Sequence, residues 1–589
     1  MSLLDWSIVG IYLIVVLLIG LYFTRRASKS IDDFFVAGRS LSWFIAGTSI
    51  VATTFSTDTP LVVAGISRDS GVSGHWFWLS AAIGQTATIF FFARLWRRTH
   101  ANTDLEFIAH RYKPSLATSI LRLFKVFFDG VLLNCLVMGS VILAMTKIIN
   151  AILVLPEGAV FELPIVGAIG WTGIILFVLG LVSVLYSSLS GLYGVVYTDL
   201  IQFILALIGS IGLAAIVYVK GCNDGNIIVN FAKVTNSSKD YLSFVPSMNS
   251  SLLAFFTFFT YIFMTWWYRV PGNGYYVQRI LATKSEKDSF LAFLWFNICQ
   301  YVIRPWPWII VGLLSLYYLP DLKDSESSFP EMIMKFLPDG IKGIMVAAML
   351  AAFMSTIDTH LNWGTSYIVN DLYKPYICKN KEGKHPILLS RILVFVFMII
   401  AILIATRLKS ILGAYKYISV VFGGISTVMI ARWYWWRVNP FSEISGIIAS
   451  LIVANFLQFV LPSTKEHDLY AIRLIITVVI VTSVWIVVTL VTGKKQPSKH
   501  LIDFYKKMRI PGPGWKKIRL LAKMELEKSE LKYNFLGWLC CVLFIYSTTL
   551  CIGKLLFQSY LSALVCMVLS FISGYVLIKI FKKMNIFSS

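Results

Sequence analysis

The sequence predicts an all-α polytopic membrane protein with about fifteen transmembrane helices. Three observations carry that reading. Of 589 residues, 57% are hydrophobic and only 14% charged, and the mean hydropathy is +0.74, outside the range of soluble domains. Apolar runs of roughly 20 residues, enough to cross about 30 Å of hydrocarbon, recur along the whole chain. The basic residues fall in short clusters at the ends of those runs, so the formal net charge of +22 reads as topology signal and not as a nucleic-acid surface.

Taken in order, the apolar segments lie near residues 6–23, 42–66, 75–95, 117–149, 165–189, 192–219, 250–272, 288–317, 340–366, 389–406, 411–431, 443–461, 470–491, 535–556 and 559–581. The first, WSIVGIYLIVVLLIGLYF, has its basic residues after it and no small-residue cleavage site, so it reads as a retained helix and not as a signal peptide. An odd number of spans places the termini on opposite sides. The linkers TRRASK, RLWRRTH, VQRILATKSEK, YKPYICKNKEGK, RWYWWR and TGKKQPSK follow alternate spans and are basic, whereas GCNDGNIIVN, DLKDSESS and STKEHD are neutral or acidic. The positive-inside bias then puts the N-terminus outside and the C-terminus in the cytoplasm, in a multi-pass protein of the cell membrane. The polar stretch 492–534 is too short for a core of its own and reads as a cytoplasmic connector with an amphipathic helix. The eight cysteines show no CxxC spacing, which implies neither a disulfide framework nor a zinc site.

Two spans are broken. The second carries Thr53, Thr54, Ser56, Thr57, Asp58, Thr59 and Pro60 at its centre, and the seventh carries Arg269, Pro271, Gly272, Asn273 and Gly274. Proline removes an amide and clashes with the preceding turn, and glycine lowers helix preference, so both helices are expected to be interrupted. Five spans separate them, which points them in opposite directions. Interrupted spans at corresponding places in two inverted halves are the signature of a transporter that holds its cargo near the midplane. The expected organisation is an extra helix and link (1–40), a first inverted repeat of spans 2–6 (41–219), an extracytoplasmic loop (220–249), a second repeat of spans 7–11 (250–440), spans 12–13 (441–491), the connector (492–534) and spans 14–15 (535–589).

The ninth span contains AAFMSTIDTH, residues 351–360. Ala352, Ser355, Thr356 and Thr359 follow the i, i+3, i+4, i+7 spacing of one helix face, with Asp358 at its edge. Burying such groups costs several kcal/mol unless they are paired, so they mark a functional site. Hydroxyl, carboxylate and carbonyl oxygens are the ligands hard cations prefer, and unwound carbonyls of the second span can complete a cage begun by Ser355 and Thr356. The alternative is that each hydroxyl bonds back to the carbonyl four residues earlier.

Five motifs occur in order: DDFFVAGRSLSW after the first span, LEFIAHRY after the third, SGLYGVVYTDLIQF between the fifth and sixth, YVQRILATKSEKDS after the seventh, and AAMLAAFMSTIDTHLNWGTSYIVNDLYKPY in the ninth. With these the chain, over about residues 5–460, resembles the sodium/solute symporter family of proline, sialic acid and sugar symporters. The resemblance implies a 5+5 inverted-repeat (LeuT-like) core of ten helices, preceded by one helix and followed by more. It implies sodium-driven symport of a small organic solute, with no cofactor, with sodium ions, solute and membrane lipid as partners, and with no nucleic acid or obligate protein partner. It also implies a sodium site of backbone carbonyls at Ala52 and Phe55 with Ala352, Ser355 and Thr356. In some members a second sodium lies against an aspartate of the fifth core helix, here Asp199, with Ser355, Asp358 and Thr359. Asp358 stands where the family usually has a hydroxyl. Two carboxylates at one small site either hold a cation or share a proton, and the remaining reading pairs Asp358 with His360 or an arginine.

The family's solute lies between core helices, where the polar and aromatic candidates are Thr57, Asp58, Gln85, Thr88, Asn134, Trp266, Trp267, Arg269 and Ser426. Arg269 and Arg304 sit at unusual depth for unpaired arginines. Arg269 either bridges to Asp58 or binds a solute carboxylate through its planar fork. A proton-coupled symporter of the same fold, a membrane enzyme and a solute sensor are the competing classes. The seven histidines show no HExxH spacing, no nucleophile elbow or phosphate loop is present, and no output domain fits the C-terminal extension.

Overall fold

A computed structural model describes the chain apart from residues 28–30, 154–160, 164–166, 229, 232–239, 247–250, 379–384, 463–467, 494–495, 525–527, 585 and 587–589. The principal helices are α1 (Leu3–Ala27), α2 (Trp43–Phe55), α3 (Asp58–Ser70), α4 (Val72–Thr99), α5 (Leu116–Ile152), α6 (Trp171–Asn223), α7 (Leu252–Thr265), α8 (Glu286–Ile298), α9 (Pro305–Tyr318), α10 (Ile341–Ile377), α11 (His385–Ala405), α12 (Ile411–Tyr434), α13 (Pro440–Val460), α14 (Tyr470–Thr492), α15 (Lys499–Met508), α16 (Lys528–Leu556) and α17 (Tyr560–Lys583). Among the described residues, eleven helices are long and apolar enough to cross a membrane, or twelve when the bent pair α2 and α3 counts as one span. That criterion stops short of fifteen because several expected spans are not single helices. The expected fifth and sixth are the two limbs of α6, which meet at a kink where Gly191 takes φ 52° and ψ −158°; the second limb meets the criterion, and the described apolar part of the first, Trp171–Val182, is shorter than it asks. The expected eighth is divided between α8 and α9 by the widened turn Cys299–Ile303 and by Pro305, which heads α9 because its missing amide is harmless at a helix start.

The core is a bundle in which α10 is the axis. It packs along α6, against α1 and against α5, while α2 lies on α8 and α6, and α3 lies on α9. Close approach at one crossing requires glycine: a Cβ on Gly312 of α9 would stand 2.5 Å from the Ala64 carbonyl oxygen of α3. Outside the core, α13 and α14 pack together and α16 and α17 form a hairpin. The amphipathic helix expected in the connector is α15, with Leu501, Phe504, Tyr505 and Met508 buried on one face. That face has no core of its own and docks on the bundle. Arg98 Nη1 donates to the Met508 carbonyl (2.7 Å), Lys507 Nζ to the Thr99 carbonyl (2.9 Å), and Trp515 Nε1 to the Trp433 carbonyl (2.6 Å).

Candidate ion and solute site

The first broken span is built by its own sequence. Pro60 lies in the first turn of α3, where helices tolerate a residue without an N–H, so the helix must restart there. Ser56 takes φ 20° and ψ 146°, and α2 and α3 meet at 58°. With α2 ended at Phe55, the carbonyls of Ala52, Thr53, Thr54 and Phe55 lose the partners a continuous helix would give them. Two of them are met by hydroxyls: Thr356 Oγ1 donates to Thr53 O (3.2 Å), and Thr59 Oγ1 donates to Thr54 O (3.1 Å). Ala52 and Phe55 receive no hydrogen bond from a described side chain. Thr356 Oγ1 is also 2.9 Å from Ala352 O, so back-bonding and the cross-helix contact coexist. One hydroxyl hydrogen lies between two carbonyls, and the oxygen keeps its lone pairs. The structure thus brings Thr53, Ala352 and Thr356 together at the end of α2.

Ser355 faces the adjoining side. Asp199 of α6 is fully buried, with Oδ1 accepting from Ser355 Oγ (2.5 Å) and Oδ2 from Ser49 Oγ (2.5 Å). Arg279, on the short helix Tyr275–Leu281 that resumes the second broken span, closes the group. Its Nη2 donates to Thr359 Oγ1 (2.8 Å), its Nε to Ser49 Oγ (3.3 Å) and its Nη1 to Gln278 Oε1 (2.8 Å). Thr359 Oγ1 is also 3.4 Å from Thr53 Oγ1, which ties this cluster to the helix break. Asp358 is fully buried, and neither carboxylate oxygen has a hydrogen-bond partner among the described residues. The pairing with His360 does not occur. His360 is about 200° further round the helix, and its Nδ1 lies 2.5 Å from Asn134 Oδ1 while Asn134 Nδ2 donates to His360 O (2.8 Å). Tyr12 of α1, which accepts from Gln202 Nε2 (3.1 Å), is within electrostatic range of both Asp199 and Asp358.

Sequence reasoning missed Ser49, Arg279, Tyr12 and Gln202. Arg279 stands in the quoted YVQR motif, but beside Lys284 and Lys287 it looked like one more cytoplasmic topology charge. The buried depth of the resumed helix separates it from them.

Beside these clusters lies a cavity of 180 Å³ lined by α3, α4, α5, α10, α12 and the α8–α9 junction, with Phe77, Trp78, Asp129, Arg304, Trp363 and Tyr415 on its wall. The solute candidates with described side chains, Thr57, Asp58, Gln85, Thr88, Asn134, Trp266, Trp267 and Ser426, are not among the residues that line it. Thr57 Oγ1 donates to Met349 O (3.1 Å), Thr88 Oγ1 to Gly84 O (3.2 Å), Trp266 Nε1 to Phe263 O (3.1 Å) and Trp267 Nε1 to Gly423 O (3.1 Å). Gln85 Oε1 accepts from Tyr301 (2.8 Å), and Asn134 is held by His360. Asp58 does have a ready partner, but it is the Tyr415 hydroxyl. The side chain of Arg269 lies outside the described residues. Which face of each helix meets the cavity follows from helix rotation in the bundle.

Two interrupted helices, carbonyls freed at a break and a hydroxyl from a neighbouring helix turned toward one of them are the architecture of a secondary transporter. The particular family follows from comparison. The model of the sodium:solute symporter family matches residues 34–453, and the chain belongs to that family. It is 27% identical to a sodium/glucose cotransporter of Vibrio parahaemolyticus, covering 82% of this chain and 90% of the relative. It is 26% identical to an osmoregulated proline transporter of Bacillus subtilis, with 74% and 85% covered. A sodium/sialic acid symporter of Aliivibrio fischeri is 24% identical, with 75% and 85% covered. In fold it is similar to a solved Na⁺-coupled sialic acid symporter in an outward-open, substrate-bound state, at a TM-score of 0.65 and 20% identity, covering 84% of this chain and 99% of that one. The protein is a multi-pass membrane transporter that carries a small organic solute by sodium-driven symport, and its family consists of transporters.

Proposed function

We propose that Na⁺ sits between α2 and α10, held by the carbonyl oxygens of Ala52, Phe55 and Ala352 and by the hydroxyls of Ser355 and Thr356. The observation that carries this is the Thr356 hydroxyl bridging Thr53 O and Ala352 O across the break. The two helix-end carbonyls, of Ala52 and Phe55, that no described side chain satisfies are the ones a cation would take. Sodium there would pin α10 to the end of α2, and its departure would release that contact, which is how ion and solute affinities become linked in both directions.

The second cluster takes one further monovalent cation or a proton, among Asp199, Ser355, Asp358 and Thr359. Charge balance supports this. Asp199 and Asp358 bring two negative charges, and Arg279 supplies one positive charge within two hydroxyl contacts. One more positive charge makes the buried group neutral, and a buried charge left uncompensated is costly. In this reading residues 41–219 and 250–440 are the two inverted repeats, the N-terminus is extracytoplasmic, the C-terminus is cytoplasmic, and the membrane is the cell membrane.

Because Ser355 belongs to both sites, its loss is the test. Purified wild type and Ser355→Ala would be reconstituted in vesicles and titrated with sodium, following uptake across a panel of radiolabelled sugars, amino acids and organic acids. Sodium-driven accumulation is expected in the wild type and its loss in the variant. A variant with wild-type sodium dependence would overturn the assignment.

A further inference from the structure

One strongly charged surface lies outside the ion and solute sites. The connector between α14 and α16 leaves the membrane after Thr492 and returns to it at Leu531, where the apolar part of α16 begins. From Lys499 to Lys523 it carries eight lysines and arginines against one acid, Asp503. Glu525, Glu527 and Glu530 follow only after the short helix Lys516–Ala522 has ended.

That short helix is held at the level of the membrane surface. Trp515, just before it, donates through Nε1 to Trp433 O (2.6 Å) in the last turn of α12, and the Trp436 amide donates to Gly514 O (3.4 Å). Lys517 Nζ stands 5.6 Å from the centroid of the Trp436 ring. Tryptophans at the end of a spanning helix, here Trp435 and Trp436 after α12, mark the depth of the lipid headgroups. The two faces of the short helix differ. Ile518 and Ala522 are buried, and the helix packs on α15. Leu520, opposite them on the helical wheel, is 67% exposed, its neighbour Leu521 is 53% exposed, and Lys516, Lys517 and Lys523 are exposed beside them. Positive charge alone would meet the topology bias. Adjacent leucines exposed among lysines go beyond it, and they are the composition of an interfacial helix, whose apolar side chains enter the boundary between headgroups and acyl chains while lysine stems extend to the phosphates.

We propose that Lys516–Lys523 is a binding site for anionic phospholipid, with Leu520 and Leu521 seated below the headgroups and Lys516, Lys517 and Lys523 on their phosphates. Charge complementarity selects the occupant, since a basic juxtamembrane segment is drawn to an anionic leaflet and not to a zwitterionic one. The site is also wired to the transport core. α15 is bonded to the end of α4 through Lys507 with Thr99 O and Arg98 with Met508 O, and Trp515 is bonded to the end of α12. Both core helices line the cavity, so lipid held here braces them at one end.

Hydrogen–deuterium exchange of the full chain in nanodiscs reads this site locally and does not depend on the ion or solute assignments. Discs of phosphatidylcholine alone would be compared, at low ionic strength, with discs of an equal mixture of phosphatidylcholine and phosphatidylglycerol. The amides of residues 516–524 are expected to exchange about fivefold more slowly, or slower still, in the mixed discs, fivefold being the share of one lysine at an anionic surface. The combined variant Lys516→Gln, Lys517→Gln and Lys523→Gln should erase the difference, arginine at the same three positions should keep it, and Leu520→Ser with Leu521→Ser should reduce it. Melting temperatures and size-exclusion profiles in phosphatidylcholine discs establish that the variants are folded. Equal exchange in the two kinds of disc, or a difference that survives the three glutamines, overturns the proposal. Equal slowing in phosphatidylcholine discs on adding soluble inositol hexakisphosphate would assign the surface to a soluble polyanion and overturn it as well.

Discussion

Replacing Thr356 by valine removes one oxygen and keeps the side chain's shape. In the proposed site that oxygen is one of five ligands, and in the structure it contacts Thr53 O at 3.2 Å and Ala352 O at 2.9 Å. Losing a charge-assisted contact of this kind is worth about 1.5–3 kcal/mol, and at about 1.4 kcal/mol per tenfold the sodium concentration for half-maximal uptake should rise about 10- to 150-fold. Leaving the Thr53 carbonyl unpaired should also lower sodium-free stability by about 1–3 kcal/mol. Two readouts separate the terms: solute uptake by reconstituted vesicles as a function of sodium, and thermal unfolding with and without sodium. Thr356→Ser, which retains the hydroxyl, should restore most of the sodium affinity. A Thr356→Val protein whose half-saturating sodium stayed within about twofold of wild type, far less than one lost ligand should cost, would refute the ligand assignment even if its stability fell.

Asp358→Asn removes the carboxylate whose oxygens have no partner; the charge moved per solute, read from reversal potentials, should fall by one, and sodium-free protein should gain about 1–3 kcal/mol of stability because an uncompensated buried charge is gone. If the second site takes a proton, that substitution should also abolish any stimulation of uptake by an inward proton gradient at subsaturating sodium. Glu443→Gln removes the charge that answers the fully buried Arg432 and leaves one acceptor oxygen for two donors, Arg432 and the Tyr112 hydroxyl, and should lower stability by about 3–5 kcal/mol, seen as poor recovery of folded protein in size-exclusion chromatography. Gly312→Val should prevent α9 from seating on α3, since even a Cβ meets Ala64 O at 2.5 Å, and its failure to reduce folded yield would argue against that crossing.

Much of this protein is written locally in its chain. Apolar runs of membrane length, basic linkers, Pro60 and the Pro271–Gly274 stretch, and the hydroxyl stripe from Ala352 to Thr359 are each properties of a short segment. They determine which parts are helical, where two helices must stop and which face of α10 is polar, because hydrogen bonding and hydrophobic burial within one helix depend only on neighbouring residues. What each polar group meets was decided by the bundle. Ser355 finds Asp199 across 156 positions of sequence and Thr356 finds Thr53 across 303. Arg279, Asp58 and Asn134 show the same limit, since each has a partner or a depth that its flanking sequence does not announce. A helix's rotation and crossing are fixed by the packing of all its neighbours at once, and that sum, which no single segment contains, selects the residues facing the ion and the solute.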